Sequence, residues 1–382
     1  NESLAPKAVI DWLGGRAKAY RTRTGNEEVR AYWSTGKVGM TGTSYDGTLC
    51  LAAATTGVEG LEVIIPVAPV SSFYHYYRSN GLVRSPGGYL GEDVDVLYDM
   101  INTGDKQKRK DNNRRVRDSL LVPGQDRITG DFNDFWAERD LVSQVGKMRA
   151  AMLMAHGFND WNVMPEHSFR FYEAAKAQGL PVQLYYHQGG HGGDPPFQQM
   201  NRWFTRYLHG IDNGVEVDLP VGIVREGDRK PTYYSQYPDA ASEPIKLYLV
   251  PGAHQQGRLT TAPSAGEATM SFTDDYRRSM PELLSDEYAA HRLLFVTEPL
   301  KHELRLSGVP EIKVRLTSNK AAANFTAYLV VLPLTEGKRL PEYENLVTRG
   351  WADPQNHSDL RRQSPLVPGQ FVDLRFSMIP DD

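Results

Sequence analysis

The sequence predicts an α/β domain followed by an all-β domain, and three observations carry that reading. Apolar runs at Leu61–Ala68, Met148–His156 and Val182–His187 are continuous, as in strands buried on both faces of a parallel sheet. An amphipathic segment from about Pro165 to Gln178 separates the last two. Pro165 suits its first turn and Gly179 its end, so the rhythm is strand, helix, strand. After about Asp212 short alternating segments appear at Lys246–Val250, Leu293–Thr297, Glu303–Leu306, Ile312–Thr317, Phe325–Leu332 and Phe371–Phe376. Gly, Pro, Asn and Ser separate them, which is the signature of a β-sandwich.

The earlier elements follow the same logic. Ala8, Val9, Trp12 and Leu13 mark a helix near the start, Lys37–Met40 a strand, and Ser44–Ala54, rich in small residues, the helix after it. From Ser72 to about Val145 the rhythm breaks. This stretch is aromatic, then Gly-rich, then charged and helical (Asp105–Leu120), and it reads as a helical insertion forming a lid or one wall of a site. The expected division is 1–211 for the α/β domain, with the insertion at about 72–145, and 212–382 for the β-domain. A prior of about 150 residues per domain allows it.

Composition excludes several functions. Apolar residues are 40% and charged residues 24%, ordinary for a globular chain with a substantial core. Net charge is −4 and the 43 basic residues are scattered, so there is no footprint for nucleic acid or an anionic membrane. The seven Lys and Arg between Lys106 and Arg117 read as a solvated helix face. No apolar run approaches the roughly 20 residues of a membrane span. Cys50 is the only cysteine, so an intrachain disulfide and a multi-Cys zinc site are excluded, and Cys50 reads as a packing residue. His187 and His191 stand four apart, but Gln188, Gly189 and Gly190 argue against the helix a metal pair would need. No metal and no cofactor are expected. The sequence lacks an initiator Met and a signal peptide, and both ends read as cuts inside a larger protein; the compartment is unassigned.

The chemistry centres on Val38-Gly39-Met40-Thr41-Gly42-Thr43-Ser44-Tyr45-Asp46-Gly47, between a strand and a helix. A nucleophile elbow needs small residues beside its Ser because the backbone turns sharply under neighbouring elements. Gly42 stands at −2, but the second glycine is at +3 rather than +2. The Tyr45 N–H is the natural oxyanion donor. The competing reading is an ordinary strand–helix turn with an N-cap Ser. Order decides between them, because α/β-hydrolases place Ser, then an acid, then His, each after a strand. Asp160 follows the strand ending at Ala155, and His191, flanked by glycines, follows the one ending at His187. His191 is the expected general base and acid, with Asp160 receiving its Nδ1–H. His156 reads as a backbone-bonding residue and His187 as a wall residue.

These motifs resemble those of the Xaa-Pro dipeptidyl-peptidases of the S15 family. Gly42-Thr43-Ser44-Tyr45-Asp46-Gly47 is similar to that family's G-x-S-Y-x-G elbow. The resemblance continues through Ser71–Gly81, Pro86-Gly87-Gly88-Tyr89-Leu90-Gly91-Glu92-Asp93, His156–Val163 and Thr348-Arg349-Gly350-Trp351-Ala352-Asp353-Pro354-Gln355-Asn356. It implies an α/β-hydrolase core with a helical insertion and a C-terminal jelly-roll-like β-domain, with Ser44, Asp160 and His191 as triad. It places Phe73 and Tyr76 in an aromatic proline pocket, where the family usually has Trp at the position of Phe73, and Val163 on another pocket wall. Glu92 falls on the carboxylate that grips the substrate's α-amino group, and Asn162 lies beside it. An apolar slot suits a prolyl ring and a desolvated carboxylate suits a cationic amine. Without the resemblance, Glu92 reads as a surface acid and the aromatics as core.

The implied partners are peptides with Pro at the second position, and a homodimer is a candidate assembly. The resemblance also implies that the second oxyanion donor, the first sheet strands and the closing β-domain strands lie outside this chain. Two alternatives compete: an ester hydrolase or β-lactam-type or α-amino acid ester acylase of the same fold, and a non-catalytic binding protein.

Overall fold

The computed structural model describes residues 3–86, 91–264, 266, 268–333 and 345–382. Helix α1 (Leu4–Leu13) buries Ile10 and is followed by a short antiparallel pair, β1 (Ala19–Tyr20) and β2 (Glu28–Val29). Strand β3 (Val38–Thr43) runs parallel to β4 (Leu61–Val67), joined by helix α2 (Tyr45–Ala54). The insertion then supplies α3 (Phe73–Tyr77), the hairpin β5 (Arg78–Ser79) and β6 (Leu82–Val83), and α4 (Val94–Ile101). Next come α5 (Lys106–Asn112), a wider π-type stretch over Asn113–Leu121, α6 (Val122–Gln125) and α7 (Asp134–Ala137). The chain returns to the sheet with β7 (Ala151–Gly157), α8 (Glu166–Ala177), β8 (Val182–His187), α9 (Phe197–His209), β9 (Val221–Ile223) and β10 (Thr232–Tyr234).

These strands form one sheet in the order β10-β9-β8-β7-β4-β3, parallel throughout except for β10. Both faces are covered. Leu61, Ile64, Met152 and Met154 pack with α1, α2 and α8, whereas Val63, Ile65, Val67, Ala151, Leu153 and Ala155 pack with Trp203 of α9. Double burial is why β4 and β7 read as unbroken apolar runs. Helix α9 and strands β9 and β10 went unnoticed in the sequence. Met200, Trp203, Phe204, Tyr207 and Leu208 nevertheless carry the helical period, and Gly210, at φ +70°, closes the helix. No helix among the described residues is long and apolar enough to cross a membrane.

The insertion has its own apolar cluster around Tyr74, Tyr77, Trp136 and Val163. Buried Arg78 holds it together. Its guanidinium pairs with Asp93 at 3.0 Å, donates to the carbonyls of Tyr77 and Gln125, and lies 4.9 Å from the Trp136 ring centre. Asp93 in turn caps α4 and also pairs with Arg127.

The C-terminal half is strand-rich: β11 (Tyr248–Val250), β12 (Gln256–Thr260), helix α10 (Met280–Leu284), β13 (Leu294–Val296), β14 (Glu311–Leu316), β15 (Phe325–Val330), β16 (Leu346–Ala352) and β17 (Val372–Ser377). The described strands pair as β11-β12-β13, β14-β17 and β15-β16. Glu303–Leu306 is not a strand: its four-residue alternation meets no neighbouring strand among the described residues, and Leu304 is exposed. The chain forms two compact units, Asn1–Tyr237 with Gly308–Ala327 and Arg349–Asp382, and Pro238–Ser307 with Tyr328–Thr348. Each is thus assembled from separated stretches of sequence.

Replacing Asp93 by Ala leaves the Arg78 charge buried without its partner. Loss of one member of a buried pair costs about 3–5 kcal/mol. Urea denaturation of D93A is expected to show a loss of that order, and a change below about 1 kcal/mol would contradict the role given to the pair.

Candidate active site

Ser44 sits where β3 becomes α2, with φ +61° and ψ −122°, a conformation that is costly for any residue with a Cβ. The surrounding structure imposes it. The Ser44 N–H donates to the Val67 carbonyl at 2.8 Å, and the Ser44 carbonyl already accepts the first helical bond from Thr48. The glycines make the turn sterically feasible. A Cβ on Gly42 would stand 2.6 Å from Cβ of Asp46, and one on Gly47 would stand 2.8 Å from the Val67 carbonyl. The second glycine therefore lies at +3 because that is where α2 crosses β4; exposed Asp46 meets no such limit. The Ser44 hydroxyl does not cap α2, so the N-cap alternative fails. Cys50, nearby on α2, is fully buried and its thiol is pushed up to about 12 by burial, so it offers no rival nucleophile.

Asp160 lies just after β7 and is fully buried. Its Oδ1 accepts the backbone N–H groups of Asn162 (2.9 Å) and Val163 (3.0 Å). Its Oδ2 faces His191 Nδ1 at 2.7 Å and His156 Nε2 at 3.2 Å. Burial pushes the carboxyl pKa up, but the hydrogen bonds from His156 and His191 outweigh it and hold the group below the usual carboxylate range. His191, after β8, is partly exposed. Its hydrogen bond to Asp160 raises its pKa above the ordinary histidine value against the opposing effect of burial. No hydrogen bond joins Ser44 to His191 among the described residues. Catalytic contacts of this kind often tighten only with substrate.

The loops after β7 and β8 are stitched together. Asn159 donates from its backbone to the Gly189 carbonyl and from its side chain to the Gln188 carbonyl. A Cβ on Gly157 would stand 2.1 Å from the Gly189 carbonyl, so only glycine fits. His187 shapes the loop that carries His191. Its Nδ1 accepts the Gly189 N–H, and its Nε2–H donates to the Gly192 carbonyl. Burial lowers its pKa.

Of the expected pocket residues, Phe73, Tyr76 and Val163 share one apolar cluster. Asn162 links this cluster to the acid loop. Its side-chain carbonyl accepts the Tyr76 hydroxyl at 3.2 Å and its amide donates to the Pro86 carbonyl at 2.9 Å. Burial and the Glu92 charge push the Tyr76 hydroxyl up to about 12. Glu92 is half-buried, and burial followed by the Asp93 charge raises its pKa. It has no cationic partner among the described residues. The expected Gly-rich motif includes Gly87–Leu90, which lies outside the described residues.

Two supports for the acid were not assigned in the sequence. His156 touches the Asp160 carboxylate instead of serving only the backbone. Arg349, 2% exposed, donates to the Asp160 carbonyl at 2.6 Å and lies 4.1 Å from the Trp161 ring centre. A long separation of 189 residues hides that contact from any local pattern. No group of three or more His, Cys, Asp or Glu among the described residues could hold a metal ion.

The parallel sheet with Ser44 on a strained elbow at the end of β3 defines the chain as an α/β-hydrolase. Comparison with known proteins agrees. The family model of X-Pro dipeptidyl-peptidase (S15 family) matches residues 1–193, and that of the X-Pro dipeptidyl-peptidase C-terminal non-catalytic domain matches 213–382. The chain belongs to the S15 family of X-Pro dipeptidyl-peptidases. It is 56% identical over 384 residues to a putative Xaa-Pro dipeptidyl-peptidase of Rhodopirellula baltica, and 39% identical over 388 residues to one of Bacillus cereus. Both alignments cover 100% of this chain but only 61% and 64% of those relatives. Solved structures with the same fold include an aminopeptidase from the marine sediment archaeon Thaumarchaeota archaeon, with TM-score 0.68, 16% identity and coverage of 100% of this chain and 70% of that one. A CocE/NonD family hydrolase from Staphylococcus aureus gives TM-score 0.71 at 15% identity, covering 99% and 64%.

Replacing Arg349 by Met removes the side-chain donor to the Asp160 carbonyl. A hydrogen bond from a charged group is worth about 1.5–3 kcal/mol. Thermal or urea unfolding of R349M is expected to show a loss of that size, and an unchanged midpoint would contradict the clamp.

Proposed function

We propose that this chain is the catalytic core of a serine exopeptidase that releases Xaa-Pro dipeptides from peptide N-termini through an acyl-enzyme on Ser44. The observation that carries the proposal is the strained Ser44 elbow together with a buried, ionised Asp160 bonded to His191, all at the carboxyl ends of strands of one sheet, where β7 and β8 are adjacent and β4 separates them from β3. His191 Nε2 takes the Ser44 proton as Oγ attacks the prolyl carbonyl carbon. The Tyr45 N–H stabilises the resulting oxyanion. Collapse breaks the amide bond as His191 returns the proton to the leaving amine. Water then attacks the acyl-enzyme with His191 again as base, releasing the dipeptide.

Glu92 receives the α-ammonium group. A half-buried carboxylate with no cationic partner among the described residues suits that role, because a bound cation would offset the burial that raises its pKa. Phe73, Tyr76 and Val163 form the slot for the prolyl ring, and Asn162 holds Tyr76 and the acid loop in register. The two family models support a division into a hydrolase domain (1–211) and a jelly-roll-like domain (212–382). Because the chain covers only part of its relatives, segments outside it are expected to complete the enzyme, and a homodimer is a further expectation.

An α-amino acid ester hydrolase shares the fold, with TM-score 0.67, 16% identity and coverage of 100% of this chain and 70% of that one. Glu92 suits such a substrate too, since it also bears a free α-amine. The test is release of p-nitroaniline from Gly-Pro-p-nitroanilide against hydrolysis of an α-amino acid methyl ester, using the full-length protein. Gly-Pro release is expected; ester turnover without it would favour the second reading. A catalytically inert binding protein would do neither.

Two variants refine the proposal. S44A is expected to lose at least about 1,000-fold in kcat, the scale seen when a triad member is removed, while still binding a Gly-Pro peptide. E92Q is expected to raise KM for free-amine substrates and to spare N-blocked esters; equal loss on both would remove Glu92 from its role. The pH profile follows from the direction of the His191 shift. The base works only when neutral, so kcat/KM falls as pH drops through a value above the ordinary histidine pKa of about 6.5. An acid limb well below that value would contradict the assignment.

A further inference from the structure

We infer that His156 is a positioning residue for the catalytic acid, holding the Asp160 carboxylate in register by donating to the same oxygen that receives His191. The inference rests on the hydrolase reading of Ser44, Asp160 and His191 and extends the machinery to a fourth and fifth side chain.

The geometry places a hydrogen on Nε2 of His156. His156 is fully buried at the end of β7, and both ring nitrogens have partners. Nε2 lies 2.8 Å from the Val163 carbonyl and 3.2 Å from Asp160 Oδ2. A carbonyl oxygen can only accept, so Nε2 carries the hydrogen and shares it between the two oxygens. Nδ1 lies 2.6 Å from the hydroxyl of Ser168, itself fully buried on α8. The Ser168 hydroxyl pairs with Nδ1, so both ring nitrogens are held and the imidazole plane is fixed.

Asp160 Oδ2 thus receives two imidazole N–H groups, from His156 and His191, while Oδ1 receives two backbone N–H groups. A carboxylate loaded this way cannot rotate without breaking bonds on both oxygens. Its negative charge is also shared, so His191 meets only part of it. The charged and titratable groups around the ring are Asp160 and, through it, His191; His167, on α8, and His187, on β8, whose pKa values burial lowers; and Arg349, at the Asp160 carbonyl. His156 is therefore the donor whose removal should be felt at His191.

The test uses a fluorophosphonate, which reacts with an activated serine whatever the leaving group, on the full-length protein. The labelling rate of Ser44 is followed against pH in wild type, H156F, H156Q, H156N and S168A. H156F is expected to lower the plateau rate at least tenfold. Its acid limb should move to higher pH, because the whole Oδ2 charge then stabilises protonated His191. H156Q, whose side-chain amide reaches the Nε2 position, should recover at least fivefold over H156N, whose amide reaches only the Nδ1 position. S168A, which frees the ring but leaves its Nε2–H, should fall between wild type and H156F.

A purely structural His156 would lower the unfolding midpoint and leave the labelling rate and limb of the folded fraction within twofold of wild type; that result overturns the inference. If H156F does not fold, equal rates for H156Q and H156N overturn it just as clearly. Wild-type protein that resists the probe would instead refute the hydrolase reading, so the two failures are told apart.

Discussion

The carboxylate of Asp160 is the group around which the rest of the site is arranged. A buried anion without partners is strongly unfavourable, and this one is fully enclosed. Its stability depends on four donors: two backbone N–H groups from the turn that follows, one imidazole from its own strand and one from the next strand's loop. Each donor constrains a different part of the chain. The turn places Asn162 and Val163 and, through them, the apolar cluster that holds Tyr76; His156 ties in α8 by way of Ser168; His191 ties in the loop after β8. Even the Asp160 backbone is used, since its carbonyl receives Arg349 from β16.

Ser44 is held by a separate constraint. Ser44 stays in an unfavourable conformation because β4 accepts its N–H and α2 starts directly beneath it, and two glycines leave room for that approach. Strain at Ser44 and charge at Asp160 are maintained by different elements of one parallel sheet. The stretch Gly308–Ala327 and Arg349–Asp382 lies in the same compact unit as this sheet, so residues distant in sequence contribute to the surroundings of the acid.

Strong periodic signals were legible without coordinates. The apolar runs of β4, β7 and β8 are visible because both faces of those strands are buried; Asp160 and His191 are recognisable because each follows such a run, and Ser44 because its glycine-flanked motif joins a short strand to a helix. The strand expected at Glu303–Leu306 shows the opposite case: alternation over four residues is too short to specify a strand when no strand among the described residues pairs with it. Helix α9 carried a legible period directly after Pro195 and Pro196, the second of which is its N-cap residue. The support that His156 gives to Asp160 was hidden for another reason. Its i, i+4 spacing has meaning on a helix, and here a strand end and a tight turn bring the two side chains together. Arg349 was noticed only within a motif, because nothing local to a β-strand arginine indicates which carbonyl it will meet.

The most direct test of the account is a crystal structure of the full-length protein after reaction with a Gly-Pro phosphonate diphenyl ester. The account predicts phosphorus bonded to Ser44 Oγ, a phosphoryl oxygen on the Tyr45 N–H, the α-ammonium group on Glu92, and the prolyl ring against Phe73, Tyr76 and Val163. An adduct on Ser44 whose amine points away from Glu92, or whose ring lies outside that aromatic slot, would contradict it.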